Sequence, residues 1–140
     1  MRLLVDTNVF VDLFARREGF EYVKLFFKYC YRKYNQTYVT SISLRDAEYV
    51  LHHIFHDKDL SRKAQHNIYE MCSKVLSVSD DSSIISLDYE YSNDYENCLL
   101  IQTAKENLLD AIVTNNIKDF KNAGIPVFTP KQLCEIWSNE

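Results

Sequence analysis

Five short apolar runs punctuate this chain, and the segments between them have helical spacing of their apolar residues. Arg2 to Asp6, Tyr38 to Ser41, Val75 to Val78, Ala111 to Thr114 and Val127 to Thr129 are too short for helices and read as buried strands. Val9 to Tyr34 reads as helical with a break near Gly19, followed by helices at Leu44 to His56, Ser61 to Lys74, Ser82 to Tyr89 and Tyr95 to Leu108. A final helix begins at Thr129-Pro130-Lys131-Gln132, where Thr can cap, Pro suits the first turn and Gln occupies the capping-box position. Strands alternating with helices imply βα units. The expected fold is therefore α/β, a three-layer sandwich with a short, mostly parallel central sheet, and one domain spanning 1–140.

Composition narrows the class. Only two glycines and two prolines argue against a loop-rich or all-β chain. No apolar run is long enough to span a bilayer, and the start lacks the longer apolar stretch of a signal peptide, so a cytoplasmic location is expected. Cys30, Cys72, Cys98 and Cys134 have no paired spacing, which speaks against zinc and for reduced, mostly buried thiols.

A net charge of −4 gives no global case for nucleic-acid binding. Its distribution says more. Six basic residues fall between Arg16 and Lys33, and Lys24, Lys28 and Arg32 recur every fourth residue as one helical stripe. From Val75 to Ala104 there is no Lys or Arg, whereas Asp80, Asp81, Asp88, Glu90, Asp94 and Glu96 all lie there. A positive flank beside a negative pocket would suit an enzyme that grips phosphates and holds a cation. A solvated helix face and an acidic surface would give the same counts.

In open α/β sheets the working site lies at the carboxyl ends of the strands. Carboxylates collect at those ends. Asp6 ends the first run, Asp46 is placed in the first turn after the second, Asp119 follows the fourth, and Asp94 and Glu96 open the preceding helix. Brought together, they repel unless a cation or protons neutralise them, and hard oxygen donors suit Mg²⁺ or Mn²⁺. Each also has a structural reading. Ser43-Leu44-Arg45-Asp46 and Asn116-Ile117-Lys118-Asp119 have capping-box spacing, and Asp94 can be an N-cap. Asp6, at the end of a buried strand, has no generic capping role and is the strongest candidate.

These residues resemble the PIN-domain family, especially its VapC-like branch of toxin ribonucleases. Leu3-Leu4-Val5-Asp6-Thr7-Asn8-Val9-Phe10 is similar to the opening strand, and Ser41-Ile42-Ser43-Leu44-Arg45-Asp46 to the second motif, where Glu is usual. Asp94-Tyr95-Glu96-Asn97-Cys98-Leu99 resembles the third motif, commonly Asp-Phe-Glu-Asp-Ala-Leu. Ile112-Val113-Thr114-Asn115-Asn116-Ile117-Lys118-Asp119-Phe120 is close to the fourth, and Pro126-Val127-Phe128-Thr129-Pro130 fits the last strand and helix. The resemblance implies a metal-dependent ribonuclease whose Asp6, Asp46 and Asp119, with Asn97 or Asp94, hold Mg²⁺ or Mn²⁺. The metal would activate water and stabilise charge on the phosphate. Thr7, Asn8, Thr114 and Asn116 would orient ligands and water. It also implies RNA as substrate, a small antitoxin as partner and a homodimer, while the lack of a long apolar run leads to no expected membrane association.

One position departs from the pattern. Asn97 stands where the family carries a metal-ligating Asp, and an amide oxygen supplies no negative charge. That departure sustains a second expectation, a PIN-like module that binds RNA or protein with little catalysis. A phosphoryl-transfer receiver or haloacid-type phosphatase is disfavoured, because Asp6-Thr7-Asn8 offers neither adjacent acids nor Asp-x-Asp. His52, His53 and His56 read as an exposed helix end, and about half of the aromatics from Phe20 to Tyr34 as core, the rest as an exposed patch.

Overall fold

The computed structural model describes residues 1–88 and 94–140. All five expected strands form, as β1 Arg2–Val5, β2 Gln36–Thr40, β3 Lys74–Leu76, β4 Ala111–Val113 and β5 Val127–Phe128. They lie in the order β3-β2-β1-β4-β5, and every pairing is parallel, so the sheet is wholly rather than mostly so. β1 is central, with Leu3 opposite Thr37 on one side and Ala111 on the other.

Alternation along these strands builds two cores. Leu3, Val5, Val39, Ala111 and Val113 face one side and pack with Phe10, Phe26, Leu51, Ile68 and Trp137. Those partners come from α1 (Thr7–Phe14), α2 (Phe20–Arg32), α3 (Ser41–Phe55), α4 (Lys58–Met71) and α7 (Pro130–Ser138). Leu4, Tyr38, Leu76 and Ile112 face the other side and meet Leu100, Ile101 and Ala104 of α6 (Tyr95–Glu106). α5 (Asp80–Asp88) packs on α6, and the three layers follow.

Helix boundaries depart from the apolar spacing where polar caps decide them. Thr40 caps α3, its Oγ1 accepting from the Ser43 amide at 3.0 Å, so the helix starts at Ser41 and not Leu44. Asp57 caps α4 in the same way, and the helix stops at Met71, freeing Lys74 to open β3 beside Tyr38. Gly19, at φ 87°, forms the break between α1 and α2, a conformation open to glycine without strain. The capping box at Thr129 and Gln132 is present in both directions. α5 is described only to Asp88, and Tyr89 and Glu90 lie outside the described residues.

None of the four cysteines forms a disulfide, and burial pushes the Cys30 and Cys72 thiols up to about 12 and Cys134 to about 11. No helix among the described residues is long and apolar enough to cross a membrane. Phe26 is fully buried and Phe20, Phe27 and Tyr29 partly so, while Tyr22, Tyr31 and Tyr34 are exposed, and His52, His53 and His56 are exposed as expected.

Candidate active site

The chain order makes a crevice. β1 is followed by elements leading to β2 on one side, whereas β4 leads to β5 on the other, so connections diverge at the β1–β4 ends. Such a switch point is where open α/β sheets place their sites. Asp6 follows β1 directly, and Thr114 to Asp119 follow β4. A hollow of about 590 Å³ opens there, and Asp6, Asp46, Asp94, Glu96, Asn97 and Asp119 all line it. Thr7 and Asn8 line it too.

Asp6 is the most buried of the carboxylates, with 8% of its surface exposed. One carboxylate oxygen accepts from the Thr7 amide at 2.7 Å and the other from the Thr114 hydroxyl at 2.9 Å. It is thus the N-cap of α1, a role the sequence was expected not to give it. Capping does not account for its environment. Desolvation by burial pushes its pKa up to about 6 against the pull of those two hydrogen bonds, and Glu96 and Asp119 add repulsion. Asp46 corrects a second expectation, because α3 begins at Ser41 and Asp46 falls in its second turn, past any capping position. Its oxygen instead meets Arg45 Nη2 at 2.7 Å. Asp94 does cap α6, accepting from the Glu96 amide at 2.9 Å. Asp119 lies in a 3₁₀ turn, Ile117–Phe120, and accepts from Asn116 Nδ2, whose own side chain makes no cap.

A polar web ties these strand ends together. Thr114 Oγ1 accepts from Asn8 Nδ2 at 3.3 Å and from the Asn116 amide at 3.1 Å while donating to Asp6. Asn8 Oδ1 accepts from the Asn115 amide at 3.1 Å. Asn97, 8% exposed, lines the hollow one helical turn after Asp94.

The sequence reading counted Glu96 among the strand-end carboxylates but left it out of the expected ligand set. Its carboxyl is held above its ordinary value by partial burial first, then by Asp46 and Asp94, so it links the repulsion felt by Asp6 to that felt near Asp46. It is the carboxylate next to the neutral Asn97. Of the basic segment from Arg16 to Lys33, Arg17 lines the hollow but none of Lys24, Lys28 and Arg32 does, and Arg45, outside that segment, was missed. Lys24 lines a separate groove with Phe14, Phe20 and Met71, so the expected positive flank is not the α2 stripe.

The donors fit a hard divalent ion in chemistry, since Asp6, Asp46, Asp94, Glu96 and Asp119 bring carboxylates to the lining, Asn97 adds an amide oxygen and no thiol or imidazole of the described residues lines it. A chelate is not preassembled. Among the described residues no three acidic, imidazole or thiol groups stand close enough to hold one ion in this arrangement. Like charges repel, and here Asp46 is drawn to Arg45, Asp119 to Asn116 and Asp94 to the helix start.

A family model described as the PIN domain matches residues 2–118. Among solved structures, the chain is similar to a protein of a toxin–antitoxin complex from Klebsiella pneumoniae, at 27% identity and a TM-score of 0.65, covering 91% of this chain and 97% of that one. Two more distant likenesses support the fold alone. One is to a chain of VapBC2 from Rickettsia felis bound to a promoter DNA fragment, at 18% identity and TM-score 0.68, covering 92% and 98%. The other is to a chain of FitAcB from Neisseria gonorrhoeae, at 17% identity and TM-score 0.71, covering 91% and 97%. No curated protein matches the sequence.

Proposed function

Because this chain belongs to the PIN-domain family, we propose that it is the toxin nuclease of a toxin–antitoxin pair, hydrolysing RNA with Mg²⁺ or Mn²⁺. The observation that carries the reading is the common hollow at the β1–β4 switch point, into which separate elements bring Asp6, Asp46 and Asp119. PIN domains generally use divalent ions, and Asp6, Asp46 and Asp119, with Asn97, Asp94 or Glu96, are the residues that would hold one. When bound, the ion supplies Lewis-acid chemistry, offsetting the carboxylate charge and stabilising charge that builds on phosphate oxygens. Thr114 and the Thr7 amide orient the two oxygens of Asp6, and Asn8 and Asn116 orient Thr114. An antitoxin partner is proposed on the toxin–antitoxin complexes among the similar structures, a homodimer on the family resemblance, and a cytoplasmic location on the short apolar runs of the sequence.

A second reading, a binding module with little catalysis, is favoured by one observation, the neutral Asn97 in the hollow. Single-stranded RNA incubated with the purified chain and Mn²⁺ separates the two. The nuclease reading expects cleavage that falls at least about a hundredfold in Asp46→Ala, whose thermal melting stays near that of the parent. Cleavage equal in both proteins, or none in either, favours the module.

A further inference from the structure

Arg17 and Arg45 are placed where an acid hollow would otherwise turn a polyanion away. Arg45 belongs to α3 and Arg17 follows α1, and these two helices pack against each other, so the arginines approach the hollow from different elements. Adjacent side chains on a helix diverge by about 100°. Arg45 Nη2 nevertheless reaches Asp46 Oδ1 at 2.7 Å, so its guanidinium folds over toward the hollow. Arg17 is aimed differently. Its Nη1 lies 3.5 Å from Asp12 Oδ1, and Asp12 Oδ2 accepts from Asn115 Nδ2 at 2.6 Å. Asn115 is joined through Asn8 and Thr114 to Asp6, so one polar chain runs from the most buried carboxylate to Arg17.

Neither arginine is explained by stability. Arg45 is 80% exposed and Arg17 53% exposed, and ion pairs in such settings contribute little. Each guanidinium carries five N–H donors in a planar fork, and each uses one nitrogen in the contacts above, leaving donors for the two oxygens of a phosphate. We infer that Arg17 and Arg45 are the phosphate-binding residues of this site, receiving RNA phosphates at the acid hollow, with Asp12 and Asn115 as positioning residues for Arg17. The inference rests on the nuclease reading for its substrate.

The test is binding of a labelled single-stranded RNA, followed by fluorescence anisotropy across a salt series. Ca²⁺ replaces Mg²⁺ or Mn²⁺, since its looser coordination favours binding over hydrolysis. Each phosphate contact contributes about 0.7 to the slope of log affinity against log salt for a single strand. Arg17→Ala and Arg45→Ala should each flatten that slope by about this amount and weaken binding about tenfold, the size of one charge-assisted contact. Arg17→Lys and Arg45→Lys should recover the slope but only part of the affinity, since an ammonium replaces the charge and not the fork. A wild-type slope in either alanine variant overturns the inference while leaving the nuclease reading intact. Wild-type protein that binds no RNA brings down both.

Discussion

Asp6→Asn should give a protein that is more stable than its parent at about pH 8 in EDTA and that has lost at least about a hundredfold of its RNA cleavage. Burial lifts the Asp6 carboxyl from 3.8 to about 6, so the folded chain prefers it protonated. Stability from this group is therefore fully present below about pH 3.8 and is lost as pH rises through about 6. At 1.36 kcal/mol per pKa unit the loss is about 3 kcal/mol in neutral solution. An amide carries no charge and avoids it. Asn cannot reproduce every contact, however, because the Thr114 hydroxyl donates to Asp6 and already accepts from Asn8 and Asn116. An amide nitrogen at that place leaves the hydroxyl without an acceptor, which costs about 1 kcal/mol. The net gain is about 1–2 kcal/mol at pH ~8 and none near pH ~4, measured by denaturant unfolding at both. Equal stability of the two proteins at the higher pH would show that Asp6 is not held in a penalised state.

Asn97→Asp should do the reverse, tightening Mn²⁺ binding by about tenfold or more and raising cleavage. Asn97 is nearly buried in the lining, so a charge there is poorly screened. Two unit charges about 4 Å apart interact by about 4 kcal/mol at an effective dielectric of 20, and even a third of that is a factor of ten. The same charge adds to the repulsion among Asp6, Glu96 and Asp46, so the variant should lose about 1–3 kcal/mol of stability in EDTA and recover it with Mn²⁺. Calorimetry with Mn²⁺ and unfolding with and without the ion read both effects. If affinity is unchanged, Asn97 is not directed at the ion, and the Glu96 carboxylate beside it becomes the better account of the third motif.

The sheet was legible because buried parallel strands must be apolar throughout, and Leu3 to Val5 and Ala111 to Val113 have no other means of reading. Carboxylates at strand ends were legible for the same reason, as charge stands out against such runs. The helix starts were less so. Ser41 and Ser43 sit inside α3 yet break its apolar spacing, and Lys58-Asp59 opens α4 with nothing apolar, so only the caps at Thr40 and Asp57 mark them. Asp6 shows the opposite failure, because a residue ending a strand also starts the next helix when no linker separates them. Arg17 and Arg45 left no signal in spacing. One lies past the end of α1, and the other reaches its neighbour by bending a long side chain across the helix surface. Glu96 was visible as an acid, but its facing was not, since a residue near a helix start can point either to a cap or inward.

The convergence of Asp6, Asp46 and Asp119 on one divalent ion is tested most directly by Mn²⁺ titration calorimetry on the parent chain and on Asp6→Asn, Asp46→Ala and Asp119→Ala. The expected result is one saturable event in the parent at about pH 8, absent in Asp6→Asn and weakened about tenfold or more in each of the other two. Three variants that bind Mn²⁺ as the parent does would mean that these carboxylates share a hollow without sharing an ion.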